Sequence, residues 1–172
     1  MSRLFYRYDE RITNRPSVIE ILCEWESYAP DNNQFDTRIG NAGEYITAAY
    51  VLGDPAVVLE TIALDISRAE EMPPTFEELT GNGTWKTHKP GGKTVVLVDL
   101  TTAPPLRGNE YANRVRHHAI ERCWNLYEHI MTFSPASAKN FHMNAGAYVA
   151  RELPNSRPLH STRRDGLVMQ YK

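Results

Sequence analysis

The sequence predicts an α/β domain built on a mixed, twisted central sheet flanked by helices. Two observations carry that class. Residues 44–67 hold two runs rich in β-branched and aromatic residues, EYITAAYVLG and AVVLETIALDIS, with the turn signal GDP at their junction, which is the pattern of a hairpin. From residue 94 onward, strand-like and helix-like periods alternate, and strand–helix–strand steps demand parallel crossovers. A sheet that contains both must mix strand directions.

Composition sets the outer limits. A chain of 172 residues suits a single domain over 1–172. With 41% hydrophobic and 23% charged residues, it has enough apolar material for one core without disulfide staples. A formal net charge of -2 supplies no field to attract nucleic acid or an anionic membrane. No apolar run approaches the ~20 residues of a membrane span. The opening MSRLFYRYDERI is charged throughout, unlike the apolar centre of a leader peptide, so a cytoplasmic location is expected. Cys23 and Cys123 lie far apart in helical patterns and read as reduced, buried thiols.

The elements follow in order. LFYRYDERI reads as an opening strand. TNRPSVIEILCEWESYA places Val18, Ile21, Leu22 and Trp25 on one helical face, with Asn14 as N-cap and Pro16 in the first turn. The hairpin comes next. In PPTFEELTG, Thr75 and Glu78 are spaced as a capping box and Gly81 ends the short helix. TVVLVDL is apolar almost without interruption, as in a strand buried on both faces. Ala112, Val115, Ala119, Cys123 and Leu126 recur at helical spacing between Gly108 and Tyr127. HIMTFS is a strand, Ser134 and Pro135 read as the cap and first position of a further helix that Gly146 closes, and AYVARELP and GLVMQYK finish as strands. The polar, basic loop NSRPLHSTRRD joins the last two.

Two stretches carry a family likeness. LTTAPPLRGNEYANR joins a strand to a helix through a glycine turn, a place where free N–H groups can hold a phosphate. Thr102, Pro104, Arg107 and Gly108 match the register of Val-x-Pro-x-x-Arg-Gly-x-Gly. Ala138, Phe141, His142, Gly146 and Ala147 occupy the places of Ala-x-x-Leu-Tyr-x-x-x-Gly-Phe. In this order and spacing the chain resembles the GNAT superfamily of acyl-CoA-dependent N-acyltransferases, most clearly over residues 94 to 172. The resemblance implies acetyl-CoA or another acyl-CoA as cofactor, with its pyrophosphate on the N–H groups of Arg107, Gly108, Asn109, Glu110, Tyr111 and Ala112. It also implies a thioester between the fourth and fifth strands, polarised by N–H groups near Leu100 and Thr102. Two residues depart from the pattern. Pro105 replaces Gln or Arg, and Glu110 replaces Gly or Ala. An inward Glu110 would repel an anion, whereas an outward one would favour the helix start.

The chemistry needs a base for the amine and a proton source for the leaving thiolate. Asp99, the lone ionisable residue of its strand, is the candidate base, and Thr101 shares its face. His142 stands where the family often has a tyrosine that protonates the thiolate, and an ordinary imidazole titrates near cellular pH at about 6.5. Tyr148 is a nearby substitute. His117 and His118 are adjacent and have no metal-ligand spacing. They read as a solvated helix face, as do Arg114 and Arg116, and no metal is expected.

The leading expectation is acyl transfer from coenzyme A to an amine on a small molecule by direct attack in a ternary complex. Two others stay open. One is transfer or decarboxylation of a thioester on an acyl carrier protein's phosphopantetheine, with His142 and Thr101 as its groups. The other is a non-catalytic binding module on the same fold. Pairing of an exposed sheet edge into a homodimer is compatible with this architecture.

Overall fold

The computed structural model describes residues 3–8, 11–23, 31–156 and 165–172. Strand β1 (Phe5–Tyr8) leads to helices α1 (Arg15–Cys23) and α2 (Asn32–Ala42), then to the hairpin β2 (Ile46–Val51) and β3 (Asp54–Leu64). Helix α3 (Phe76–Thr80), strand β4 (Thr94–Thr102), helix α4 (Tyr111–Cys123) and strand β5 (His129–Pro135) come next. Helix α5 (Lys139–Met143) and strands β6 (Ala147–Leu153) and β7 (Gly166–Tyr171) complete the order. The seven strands form one sheet in the order β1-β2-β3-β4-β5-β7-β6. Among the described residues, β4 and β5 pair in parallel and every other pair of neighbours is antiparallel. The sheet is therefore mixed, as expected, with one refinement. β7 inserts between β5 and β6, so the second crossover does not join neighbouring strands.

Local signals account for most boundaries. The Asn14 carbonyl accepts the Val18 N–H at 3.2 Å, which places Asn14 at the start of α1. Trp25 lies outside the described residues. Thr75 caps α3 by accepting the Glu78 N–H at 3.2 Å, and Gly81 ends it at φ 65.

Helix α2 has no counterpart in the sequence reading. Asp31 and Gln34 form a reciprocal capping box: the Gln34 N–H donates to Asp31 Oδ1 at 2.8 Å and the Asp31 N–H to Gln34 Oε1 at 3.3 Å. Phe35, Arg38, Ile39 and Ala42 then form its buried stripe. A polar majority around that stripe conceals it.

Three boundaries need correction. Leu52 and Gly53, both at positive φ, make the hairpin turn, while Asp54 and Pro55 already belong to β3. Ser134 and Pro135 do not cap a helix. They end β5, paired with Leu167 and Gly166 of β7, because a free strand edge offers Ser134 a ladder. Leu126 lies past α4 and is 70% exposed.

The sheet divides the core. One cluster joins Val57, Leu59, Val95 and Leu97 to Val115 of α4. On the opposite face, a second joins Val96 and Val98 to Phe76 and Trp85, and a third joins Val58 to Val18 of α1 and Phe35 of α2. β4 is buried on both faces over Thr94–Val98. Among the described residues, no helix is long and apolar enough to cross a membrane.

Candidate active site

The β4–β5 ladder stops early. It runs from Thr94 opposite His129 to Leu97 opposite Thr132, and Thr132 Oγ1 donates to the Leu97 carbonyl at 3.1 Å. Beyond that point β4 stays with β3 as far as Thr102, while β5 follows β7 as far as Pro135. A cleft of about 210 Å³ opens in the splay, with Asp99 and Leu100 of β4, Phe133 of β5, Ala112 of α4, and Phe141 and His142 of α5 among its walls.

A β-bulge aims the β4 side chains. Glu60 opposes Asp99 and Thr61 opposes Leu97, so Val98 is the extra residue. Thr101 opposes Val58, which packs in the α1–α2 cluster. Directly opposed residues share a face, so Thr101, Asp99 and Glu60 all belong to the α1–α2 side. Leu100 opposes Leu59 and lies on the α4 side. The cleft thus connects both faces of the sheet.

His142 forms the wall nearest α5. It is buried, and its Nδ1 lies 2.6 Å from the Tyr171 hydroxyl. Burial, and secondly the Arg116 guanidinium, push its pKa down to about 4. The same burial raises the Tyr171 hydroxyl, against the pull of Arg116. At neutral pH the pair is therefore a neutral imidazole and a protonated phenol. Arg116 stacks on the Phe141 ring at 3.9 Å, donates to the Phe141 carbonyl, and reaches Asn113 Oδ1 at 2.8 Å. It ties α4 to α5 and is not the solvated side chain expected.

The turn after β4 has the makings of an anion site. Gly108 takes φ 79, and a Cβ there would meet nothing within 4 Å, so its conformation, not crowding, calls for glycine. The first bond of α4 runs from the Arg114 N–H to the Glu110 carbonyl at 3.0 Å, leaving the N–H groups of Tyr111, Ala112 and Asn113 at the open helix end. Glu110 is exposed and its Oε2 accepts from Asn113 Nδ2 at 2.8 Å. Its carboxylate is thus carried forward along the helix. Arg107 Nε donates back to the Thr102 carbonyl at 3.3 Å.

No protein-family model matches the chain, and no curated protein matches it significantly. Solved structures do. The loading GNATL domain of CurA from Lyngbya majuscula superposes with a TM-score of 0.81 at 14% identity, over 99% of this chain and 98% of that one. The GphF GNAT-like decarboxylase, solved in complex with isobutyryl-CoA, gives 0.72 at 15% identity, over 97% and 98%. Arabidopsis thaliana Naa50, solved with the bisubstrate analogue CoA-Ac-MVNAL, gives 0.70 at 14% identity, over 98% of each chain. This chain has the GNAT fold.

Within the GNAT fold, the predicted residues separate into groups. Asp99, Leu100, Ala112 and His142 meet at the cleft. Arg107, Gly108, Asn109, Glu110 and Tyr111 form the turn and the helix start, with the Tyr111 ring buried in the core. Thr102 sits beside that turn and is not a cleft wall. Thr101 is buried two residues further along β4 and is not a wall of the cleft, and among the described residues its Oγ1 has no hydrogen-bond partner.

Tyr148 does not substitute for His142. Its hydroxyl donates to Gln170 Oε1 at 3.0 Å on the outer strand pair, and its side chain is 40% exposed. Tyr171, which the sequence reading passed over, is the tyrosine beside His142. His118 also departs from expectation. It stacks on Tyr6 at 3.9 Å and its Nε2 lies 2.6 Å from the Tyr8 hydroxyl, pinning α4 to β1. Cys123 is a half-buried thiol raised by burial to about 11.

Sequence reasoning also missed Glu60. It is fully buried, and Arg38 Nη1 donates to both of its oxygens at 2.8 and 2.9 Å. A single acid inside the apolar run AVVLETIAL was the available signal, because a buried carboxylate needs a partner.

Proposed function

We propose that this protein transfers an acyl group from a coenzyme A thioester to an amine. The observation that carries the reading is Asp99 in the wall of the β4–β5 splay. A carboxylate there attracts an ammonium group and can take its proton, whereas it would repel the carboxylate of a malonyl-type thioester. The residues present fit the donor. The open helix end at Tyr111 and Ala112 and the left-handed Gly108 suit a diphosphate, and the exposed Glu110 carboxylate is held by Asn113. The apolar splay suits a pantetheine arm.

When bound, the donor supplies an acyl carbonyl activated as a thioester. Asp99 takes a proton from the acceptor ammonium. The amine nitrogen then bonds to the acyl carbon, the carbon–sulfur bond breaks, the nitrogen gives up its second proton and the sulfur leaves as a thiol. His142 contributes as a hydrogen-bond donor, not as an imidazolium acid, since it is neutral at pH 7. Its 2.6 Å contact with the Tyr171 hydroxyl holds the ring in place at the cleft wall.

A second reading rests on the unpartnered Thr101 hydroxyl. With His142 it could steady an enolate, as decarboxylation of a CoA- or carrier-bound malonyl group requires. The loading GNATL domain and the GphF decarboxylase, both sharing the fold, support keeping it.

The test combines calorimetry with product analysis. Micromolar binding of acetyl-CoA, about -8 kcal/mol, and an acylated product from a panel of small amines would support acyl transfer. Release of carbon dioxide from malonyl-CoA without amide formation would replace it with the second reading. No binding and no turnover with either donor would leave the non-catalytic module.

A further inference from the structure

The rung that closes the β4–β5 cleft runs on through the strands to either side. Thr61 of β3 pairs with Leu97 of β4, Leu97 with Thr132 of β5, Thr132 with Met169 of β7, and Met169 with Val149 of β6. Parting Leu97 from Thr132 would leave buried backbone groups unpaired at the centre of the sheet, so the cleft cannot lengthen by unzipping. Nor can it widen sideways at that end. On the α4 face, Leu97 and Met169 pack with Val115. On the opposite face, Val98 and Phe133 pack with Phe76 and Trp85. Cores filled in this way resist even one added methylene.

Thr132 stands at the blind end. It is 2% exposed and lines the cleft between Leu97 and Phe133. Its hydroxyl proton is committed to the Leu97 carbonyl at 3.1 Å, and that bond holds a β-branched side chain that is already stiff at χ1. Thr132 therefore offers the cleft its shape rather than its chemistry. The space in front of it is small. A cleft of about 210 Å³ holds about seven water-sized groups at roughly 30 Å³ each. The stretch from the last nitrogen of a pantetheine arm to the methyl of an acetyl thioester fills a space of that size.

We propose that Thr132 determines acyl-length specificity: its side chain is the floor of the cleft, which admits an acetyl or propionyl group and excludes longer chains. This rests on the coenzyme A thioester of the acyl-transfer reading.

The experiment is a calorimetric titration of the whole protein with acetyl-, propionyl-, butyryl- and hexanoyl-CoA, run beside an amine acylation assay with the same donors. Wild type is compared with Thr132→Ala and Thr132→Val. An apolar site with room to spare gains affinity with chain length, about fourfold for each methylene it buries. The expected result has the opposite sign, with a Kd for hexanoyl-CoA at least about tenfold above that for acetyl-CoA. Thr132→Ala, which deepens the floor, should reduce the ratio of butyryl-CoA to acetyl-CoA Kd severalfold. Thr132→Val, which refills the space without the hydroxyl, should restore it. Affinity that stays level or rises from acetyl- to hexanoyl-CoA in the wild type overturns the proposal, and that outcome requires no variant to fold. An unchanged ratio in folded Thr132→Ala overturns it too. Amide formation together with level affinity would refute the floor and keep the acyl-transfer reading. Length discrimination in binding without acylation of any amine would sustain the floor and refute that reading, and no binding of any of these donors would overturn both.

Discussion

His142 Nδ1 lies 2.6 Å from the hydroxyl of Tyr171. A residue of the short α5 helix and one on the last strand thus form a single hydrogen-bonded unit at the wall of the cleft. Tyr171→Phe removes the partner that holds the imidazole in place. We expect a loss in turnover of about tenfold or more, against a stability cost of about 1 kcal/mol. His142→Ala should lower turnover by about a hundredfold while the protein remains folded. Steady-state kinetics and urea unfolding of the two variants check both statements, and an unchanged rate in His142→Ala would remove it from the mechanism.

The same histidine and Glu60 should impose opposite pH dependences on stability. His142 falls from 6.5 to about 4 on folding, so between those values the unfolded chain binds more protons and stability rises with pH. Glu60 rises from 4.5 to about 7, so the folded state holds its proton longer and stability falls as pH rises. Each contributes about 3 kcal/mol across its window, and over pH 4.5–6.5 the two slopes oppose one another. Relative to the wild type, Glu60→Gln should therefore gain stability with rising pH and His142→Gln should lose it. Urea melts at several pH values read the difference directly.

Glu110 is the loop residue that looked most damaging, and its carboxylate is tied to Asn113 along the helix. Glu110→Gly should change acetyl-CoA affinity less than about threefold, under 1 kcal/mol. Gly108→Ala, forced to φ 79, should cost about 1–2 kcal/mol in the loop and weaken binding measurably. Calorimetry on the two variants distinguishes them. A large gain from Glu110→Gly would mean that the carboxylate does face the bound anion.

Arg38→Ala should be among the most destabilising single changes, at about 3–5 kcal/mol, because it abandons a buried carboxylate. Replacing both partners, as Arg38→Met with Glu60→Leu, should recover most of that loss. Denaturant unfolding of the single and double variants provides the check. Failure of the double variant to recover would show that the Arg38 contacts to Gly83 and Trp85 outweigh the pair itself.

Local patterns made much of the fold legible. The β2–β3 hairpin, the apolar β4 and the Thr75 cap of α3 all announce themselves through neighbours in the chain, whose spacing sets periodicity and capping. The loop at Gly108 and the motif around His142 are legible for the same reason, since each is contiguous. Helix α2 stayed hidden because a narrow buried stripe among polar residues needs the sheet beneath it to be seen.

By itself the sequence determined a mixed α/β sheet, a glycine turn opening α4, and Asp99 and His142 as the candidates for chemistry. Only the tertiary structure decided who their partners are. Tyr171 reaches His142 because β7 inserts beside β5. Glu60 opposes Asp99 because the bulge at Val98 sets the register. Arg116 is buried because α4 and α5 close around Phe141. Pairings between strands and helices distant in sequence depend on register and packing direction, and burial then sets the protonation state of each group. Spacing along the chain carries neither.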